Sequence, residues 1–155
     1  MTKKLAVAVA AMAVSLLAGA ASDDPRFAPN SPPGADSKLP FNEAVWAGDT
    51  LYLSGHIGSD LRTEKTPQDP ALEAKLVLDA VKATAERAGL SMDDLVTVTV
   101  YCTDLNLYDT FNRVYKGYFH SKYPARAFVG VAQLLRGAHF EVQGTAVRGH
   151  RASNR

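Results

Sequence analysis

Apolar side chains recur along this chain in two rhythms. From Pro70 to Ala88 they fall at Ala74, Leu78, Val81, Ala85 and Ala88. Spacings of four and three put all five on one side of a helix. Lys75, Asp79, Lys82 and Glu86 repeat with the same spacing on another side, where opposite charges can pair one turn apart. Pro70 suits a first helical turn and Gly89 a left-handed closing residue. From Leu95 to Cys102 the rhythm changes to alternation in Val and Thr, the pattern of a half-buried strand. Glu43–Trp46 and Leu51–Ser54 are shorter strands joined through Ala47-Gly48-Asp49, a hairpin signal. Ser59–Asp69 is polar and loop-like. Asn106 with Asp109 resembles a helix start, and Leu107–Phe119 then turns Phe111, Val114, Tyr115 and Tyr118 inward, with Pro124 blocking extension. Ala127–Ala132 and His139–Val147 are two last strands with a turn at Gly137. The order β-β-α-β-α-β-β predicts an α+β domain with two helices on one face of a mixed sheet. The opposite face is left bare, carrying Val, Tyr and Leu, and a second copy of the chain is the simplest cover.

The first residues obey neither rhythm. Thr2-Lys3-Lys4 precede Leu5–Ala20, in which Ser15 is the one polar residue. Ala18-Gly19-Ala20 then matches an A-x-A cleavage site. A basic start, a short apolar run and small residues before the cut form a secretory signal peptide. The run is too short for a membrane span, and no Cys follows Ala20 to take a lipid. Residues 1–20 are therefore read as a cleaved signal, 21–38 as a flexible arm rich in proline, 39–148 as the domain and 149–155 as a polar tail. The mature chain is expected outside the cytoplasm, secreted or periplasmic, with no membrane attachment.

Composition narrows the chemistry. With 46% hydrophobic and 21% charged residues, the chain can bury a core, and its length suits one domain. Without residues 1–20 it has 15 basic and 16 acidic side chains, a poor match to a polyanion, so no nucleic-acid partner is expected. Cys102, the one cysteine, closes no intrachain disulfide, and its apolar neighbours make it a small core residue. His56, His120, His139 and His150 are scattered, with no metal-ligand spacing.

Several short motifs, in order, carry a resemblance. Leu39-Pro40-Phe41-Asn42-Glu43-Ala44-Val45 is followed by Gly48–Gly58 (GDTLYLSGHIG). Then come Ala88-Gly89-Leu90, Val98-Thr99-Val100, Asp104-Leu105, the helix with Asn112, Tyr115 and Phe119, Pro124-Ala125-Arg126 and Glu141. Over residues 39–148 the chain resembles the Rid (RidA/YjgF) family of reactive-intermediate imine deaminases. The resemblance implies a chorismate-mutase-like fold and a homotrimer whose sheets form a barrel, with clefts between subunits. It implies no cofactor and no metal. The family reaction is hydrolysis of 2-imino or 2-enamino acids to 2-oxo acids and ammonia.

By the same resemblance, Arg126 holds the substrate carboxylate, for which a planar guanidinium offers two parallel hydrogen bonds. Glu141 orients water and takes its proton. Ser54 and Gly55 line the cleft, and Asn112 lies near it. Phe41 stands where many members have tyrosine, which removes a hydroxyl. Phe128 stands where many have cysteine, which narrows and dries the pocket, and Leu134-Leu135 replaces a commoner Leu-Pro. Arg126 and Glu141 are expected on neighbouring strands of the last hairpin, pointing into one cleft. A second reading keeps Arg126 as an anchor, with Phe41 and Phe128 as apolar contacts, in a non-catalytic protein that binds small 2-oxo carboxylates. Ribonuclease and translation-inhibitor labels, sometimes attached to the family, fit poorly with the mature charge.

Overall fold

A computed structural model describes residues 41–59, 63, 65–120 and 122–149. The expected signal segment and arm, and the expected tail beyond Gly149, lie outside the described residues. Five strands form one mixed sheet: β1 (Ala44–Ala47), β2 (Thr50–Ile57), β3 (Leu95–Cys102), β4 (Ala125–Gly130) and β5 (Phe140–Val147). Helices α1 (Pro70–Arg87) and α2 (Tyr108–Tyr115) interrupt them in the expected order. Spatially the sheet runs β1-β2-β5-β3-β4.

Local chemistry explains the helix α1. Asp69 caps it by accepting from the Ala71 N–H at 2.9 Å, and Pro70 occupies the first turn. Gly89 closes it at φ 76°, a conformation that favours glycine. Its expected stripe is buried, joined by Val77, Thr84 and Glu73. On the outer face Lys75 pairs with Asp79 at 2.5 Å and Lys82 with Glu86 at 3.8 Å. The sheet meets the helices through Leu51, Leu53, Val98, Val100, Val142 and Ala146, all buried.

β1 and β2 form the expected hairpin, turning at Gly48 with φ 59°. β2 runs three residues beyond the expected Ser54 and carries a bulge between Leu53 and His56. Helix α2 is shorter than expected: a 3-10 turn takes over at Lys116–Tyr118. Asp104, rather than Asn106, provides the side-chain cap, accepting from the Asn106 N–H at 2.9 Å at the start of the preceding turn.

Two expectations are corrected. β4 and β5 do not form a hairpin. β4 runs parallel to β3 on one side, and β5 runs antiparallel to β3 on the other. The connection around Gly137 wraps the end of β3 instead of folding back. Val131 N–H donates to the Cys102 carbonyl at 2.9 Å and Thr103 N–H to the His139 carbonyl at 3.1 Å. A glycine turn between two apolar runs reads as a hairpin, but nine residues lie between β4 and β5, enough to cross one strand. The second correction concerns the bare face. It carries Tyr52, Thr97, Thr99, Tyr101, Gln143 and Thr145, with no leucine, because the leucines of β2 and β3 turn toward the helices. Tyr52, Thr97, Thr99, Gln143 and Thr145 also line a shallow trough of about 240 Å³ on this face.

Candidate active site

The structure divides the candidate residues into two groups, one on each face of the sheet. The first is built on β4 and α2. Arg126 lies opposite Val98 of β3, a core residue, so its side chain turns to the helix side. There its Nη2 donates to Asn112 Oδ1 at 2.7 Å. The guanidinium carbon stands 4.6 Å from the centre of the Tyr115 ring and 5.7 Å from those of Tyr108 and Phe128. Cation–π attraction to Tyr115 and the hydrogen bond to Asn112 hold the guanidinium in place. Asn112 takes one of five N–H donors, and among the described residues no carboxylate pairs with Arg126. The group presents a cation with spare N–H donors between aromatic rings. Phe128 leans on Tyr108 at 5.0 Å and on Phe111 at 5.6 Å.

Tyr115 is buried, and its hydroxyl has no hydrogen-bond partner among the described residues. Burial pushes its pKa up to about 12, against the opposing pull of the Arg126 cation. It therefore remains a neutral phenol beside Arg126. Phe119, Tyr123 and Phe111 pack around the same ring.

The second group lies where β2 meets β5. Phe140, Val142 and Ala146 turn toward the helices, so Glu141 between them emerges on the bare face. Its cross-strand partner on β2 is Ile57. Gly55, in the bulge, lies beneath it: a Cβ there would overlap the Glu141 carboxylate. A side chain at this position would have to displace the Glu141 carboxylate from where it lies. Ser54 does not offer a free hydroxyl. Its Oγ donates to the Asn42 carbonyl at 2.6 Å, and its N–H donates to the Glu43 carbonyl at 2.9 Å. It therefore ties the segment carrying exposed Phe41 to β2.

Within one chain Arg126 and Glu141 therefore do not share a cleft. β3 separates their strands, and the two side chains leave opposite faces. Asn112, Phe128 and Arg126 are brought together; Gly55, Ser54, Phe41 and Glu141 form a separate set.

Cys102 and the Nε2 of His56 are also buried. Cys102 is buried, with its Sγ 3.1 Å from the Asp104 carbonyl, and burial raises its thiol pKa, so it is not poised as a nucleophile. His56 is kept neutral foremost by burial, which outweighs the pull of Glu43, and Arg87 adds in the same direction. Among the described residues no three His, Cys, Asp or Glu side chains gather as a metal site.

One buried carboxylate escaped the sequence reading. Glu73 sits four residues before Val77, on the apolar stripe of α1, and is fully buried. A charge on a stripe that faces the core was the available signal, since such a group must find partners there.

A family model described as Endoribonuclease L-PSP matches residues 33–148. A Dermatophagoides farinae protein named 2-iminobutanoate/2-iminopropanoate deaminase is 38% identical over 109 residues, which cover 70% of this chain and 85% of the relative. An Escherichia coli protein of the same name is also 38% identical, with coverage of 70% and 88%. The chain belongs to the Endoribonuclease L-PSP (YjgF/RidA) family. Solved structures of the family agree in fold. The YjgF gene product of E. coli superposes with a TM-score of 0.69 at 36% identity, covering 72% of this chain and 91% of that one. E. coli TdcF with bound serine gives 0.68 at 38% identity, covering 71% and 89%. The five-stranded mixed sheet with two helices is thus the family fold.

Proposed function

We propose that this protein hydrolyses 2-imino and 2-enamino acids to 2-oxo acids and ammonia, in clefts where the Arg126 group of one copy meets the Glu141 group of the next. The observation that carries this reading is the held state of Arg126, its guanidinium carbon over the Tyr115 ring at 4.6 Å and one N–H bonded to Asn112 at 2.7 Å, with donors left for a carboxylate. The names of the relatives and the serine bound in TdcF support a small amino-acid-like ligand.

The chemistry follows from the groups. Arg126 takes the substrate carboxylate through two N–H donors. Tyr108 and Phe128 give the carbon side chain an apolar wall. Water adds to the imine carbon as Glu141 takes its proton, and the nitrogen becomes an amine. Glu141 then returns the proton to that nitrogen. Glu141 next takes the hydroxyl proton of this carbinolamine and passes it to the nitrogen; the C–N bond breaks as the C=O forms, and ammonia leaves. Water is the only co-reactant. The test is a coupled assay of ammonia release from freshly generated imino acids, wild type against Arg126→Ala. Loss of release in the variant supports the reading. Binding of 2-oxo acids with no release by the wild type would make the protein a carboxylate-binding module.

The split site needs a second copy, and a homotrimer is the proposed assembly. Covering the bare face with its exposed Tyr52 and Val129 supports it. Sedimentation should give a trimer mass that does not depend on reducing agent; a monomer at all concentrations would refute it. The same reading places the activity outside the cytoplasm, on the strength of residues 1–20. N-terminal sequencing of the exported protein should begin at Ala21 or within a residue or two. A soluble protein retaining Met1 would overturn that location.

A further inference from the structure

We infer that Glu73, together with His139, is a positioning residue for Glu141; this rests on the deaminase reading above. Oε1 of the Glu73 carboxylate accepts the His139 N–H at 2.6 Å and the Phe140 N–H at 2.8 Å. These are the two backbone donors that immediately precede Glu141. Oε2 lies 2.6 Å from His139 Nδ1. An ionised carboxylate only accepts, so the imidazole carries a hydrogen on Nδ1 and donates it. Each of these bonds is charge-assisted, and the Glu73 carboxylate that accepts them is fully buried.

The same residue touches the other side of the site. The Glu73 backbone carbonyl and Cγ fill the space beside Gly58, where a Cβ would overlap them. Gly58 directly follows Ile57, the cross-strand partner of Glu141. Glu73 thus holds both strands at the end where Glu141 emerges. The clamp has a reason to exist there. The ladder pairs Glu141 with Ile57 and Tyr101, but the β2–β5 register is broken between Leu53 and His56, around Gly55, so the clamp backs the ladder where it is interrupted beneath the Glu141 side chain. Arg126 lies two strands away on β4. Loosening the clamp should therefore displace the water-orienting group and leave the carboxylate anchor in place.

The experiment uses the full mature protein with Glu73→Gln, His139→Asn and His139→Leu. Glu73→Gln should lower kcat about tenfold, with KM and 2-oxo acid Kd within about twofold of wild type. Added to Glu141→Gln it should lower turnover no further, because it acts through Glu141. His139→Asn, which keeps a donor at similar reach, should stay nearer to wild type than His139→Leu. Equal losses of turnover and affinity, additivity with Glu141→Gln, or indistinguishable His139 variants would overturn the inference. Amide exchange decides it independently of activity. Residues 140–143 should exchange faster in Glu73→Gln while 125–130 do not change; unchanged protection at 140–143 refutes the positioning role even if the wild type releases no ammonia. If Glu73→Gln does not fold, His139→Leu serves in both arms.

Discussion

Turnover should fall about a hundredfold in Glu141→Gln while affinity for 2-oxo acids stays within about twofold. Gln preserves the volume that packs over Gly55. It removes the one function that the reaction asks of this side chain, to take a proton from water and return it to nitrogen. A 2-oxo acid needs no proton transfer to bind, so its affinity reports the anchor alone. Steady-state ammonia release and a calorimetric or fluorescence titration on the same preparation measure the two quantities. A parallel loss of affinity would mean that Glu141 shapes the cleft instead of acting on water. Unchanged turnover would show that another group is the base. A protein that only binds carboxylates would show neither loss.

The elements of this fold were legible wherever one physical signal dominated. The α1 stripe from Ala74 to Ala88 is buried throughout, and Leu95–Cys102 alternates as its Val and Thr content requires. Strand order was not legible in the same way. Nothing local in Val131–His139 says that this connection wraps the end of β3, so β4 and β5 looked like partners. That single topological fact moved Glu141 to the face opposite Arg126. Arg126 and Asn112 came from motif likeness, and the 2.7 Å bond between them gives the likeness a physical basis. Ser54 was read as the end of a strand, but β2 runs on to Ile57, and the Ser54 hydroxyl is spent on the Asn42 carbonyl. Glu73 was missed because a helix of mixed composition tolerates one acidic residue without breaking its rhythm. What singles it out is the pair of backbone N–H groups that it meets 66 and 67 residues later.

Arg126 offers the test of how the site is assembled. Arg126→Lys keeps the charge but loses the fork and the guanidinium contact with Tyr115. Binding of 2-oxo acids should weaken by about 2 kcal/mol, roughly 30-fold. Full affinity in this variant would identify the wrong arginine. Arg126→Ala and Glu141→Gln go further, because each disables one half of the cleft and spares the other. In a closed ring of three, every mixed trimer retains one cleft with an intact Arg126 from one subunit and an intact Glu141 from its neighbour. Random mixing of equal amounts should therefore recover about a quarter of wild-type turnover from two nearly inactive parents. Co-expression of differently tagged chains, with isolation of the mixed species, makes the measurement direct. If both groups served the same cleft from one chain, no mixed trimer would contain an intact cleft and activity would remain at the level of the parents. The geometry argues for recovery: β3 stands between the two strands, Arg126 is held on the helix side by Asn112 and Tyr115, and Glu141 rises from the other face. No side-chain rotation carries either group through the sheet, so the proposed cleft calls for a second subunit to complete it.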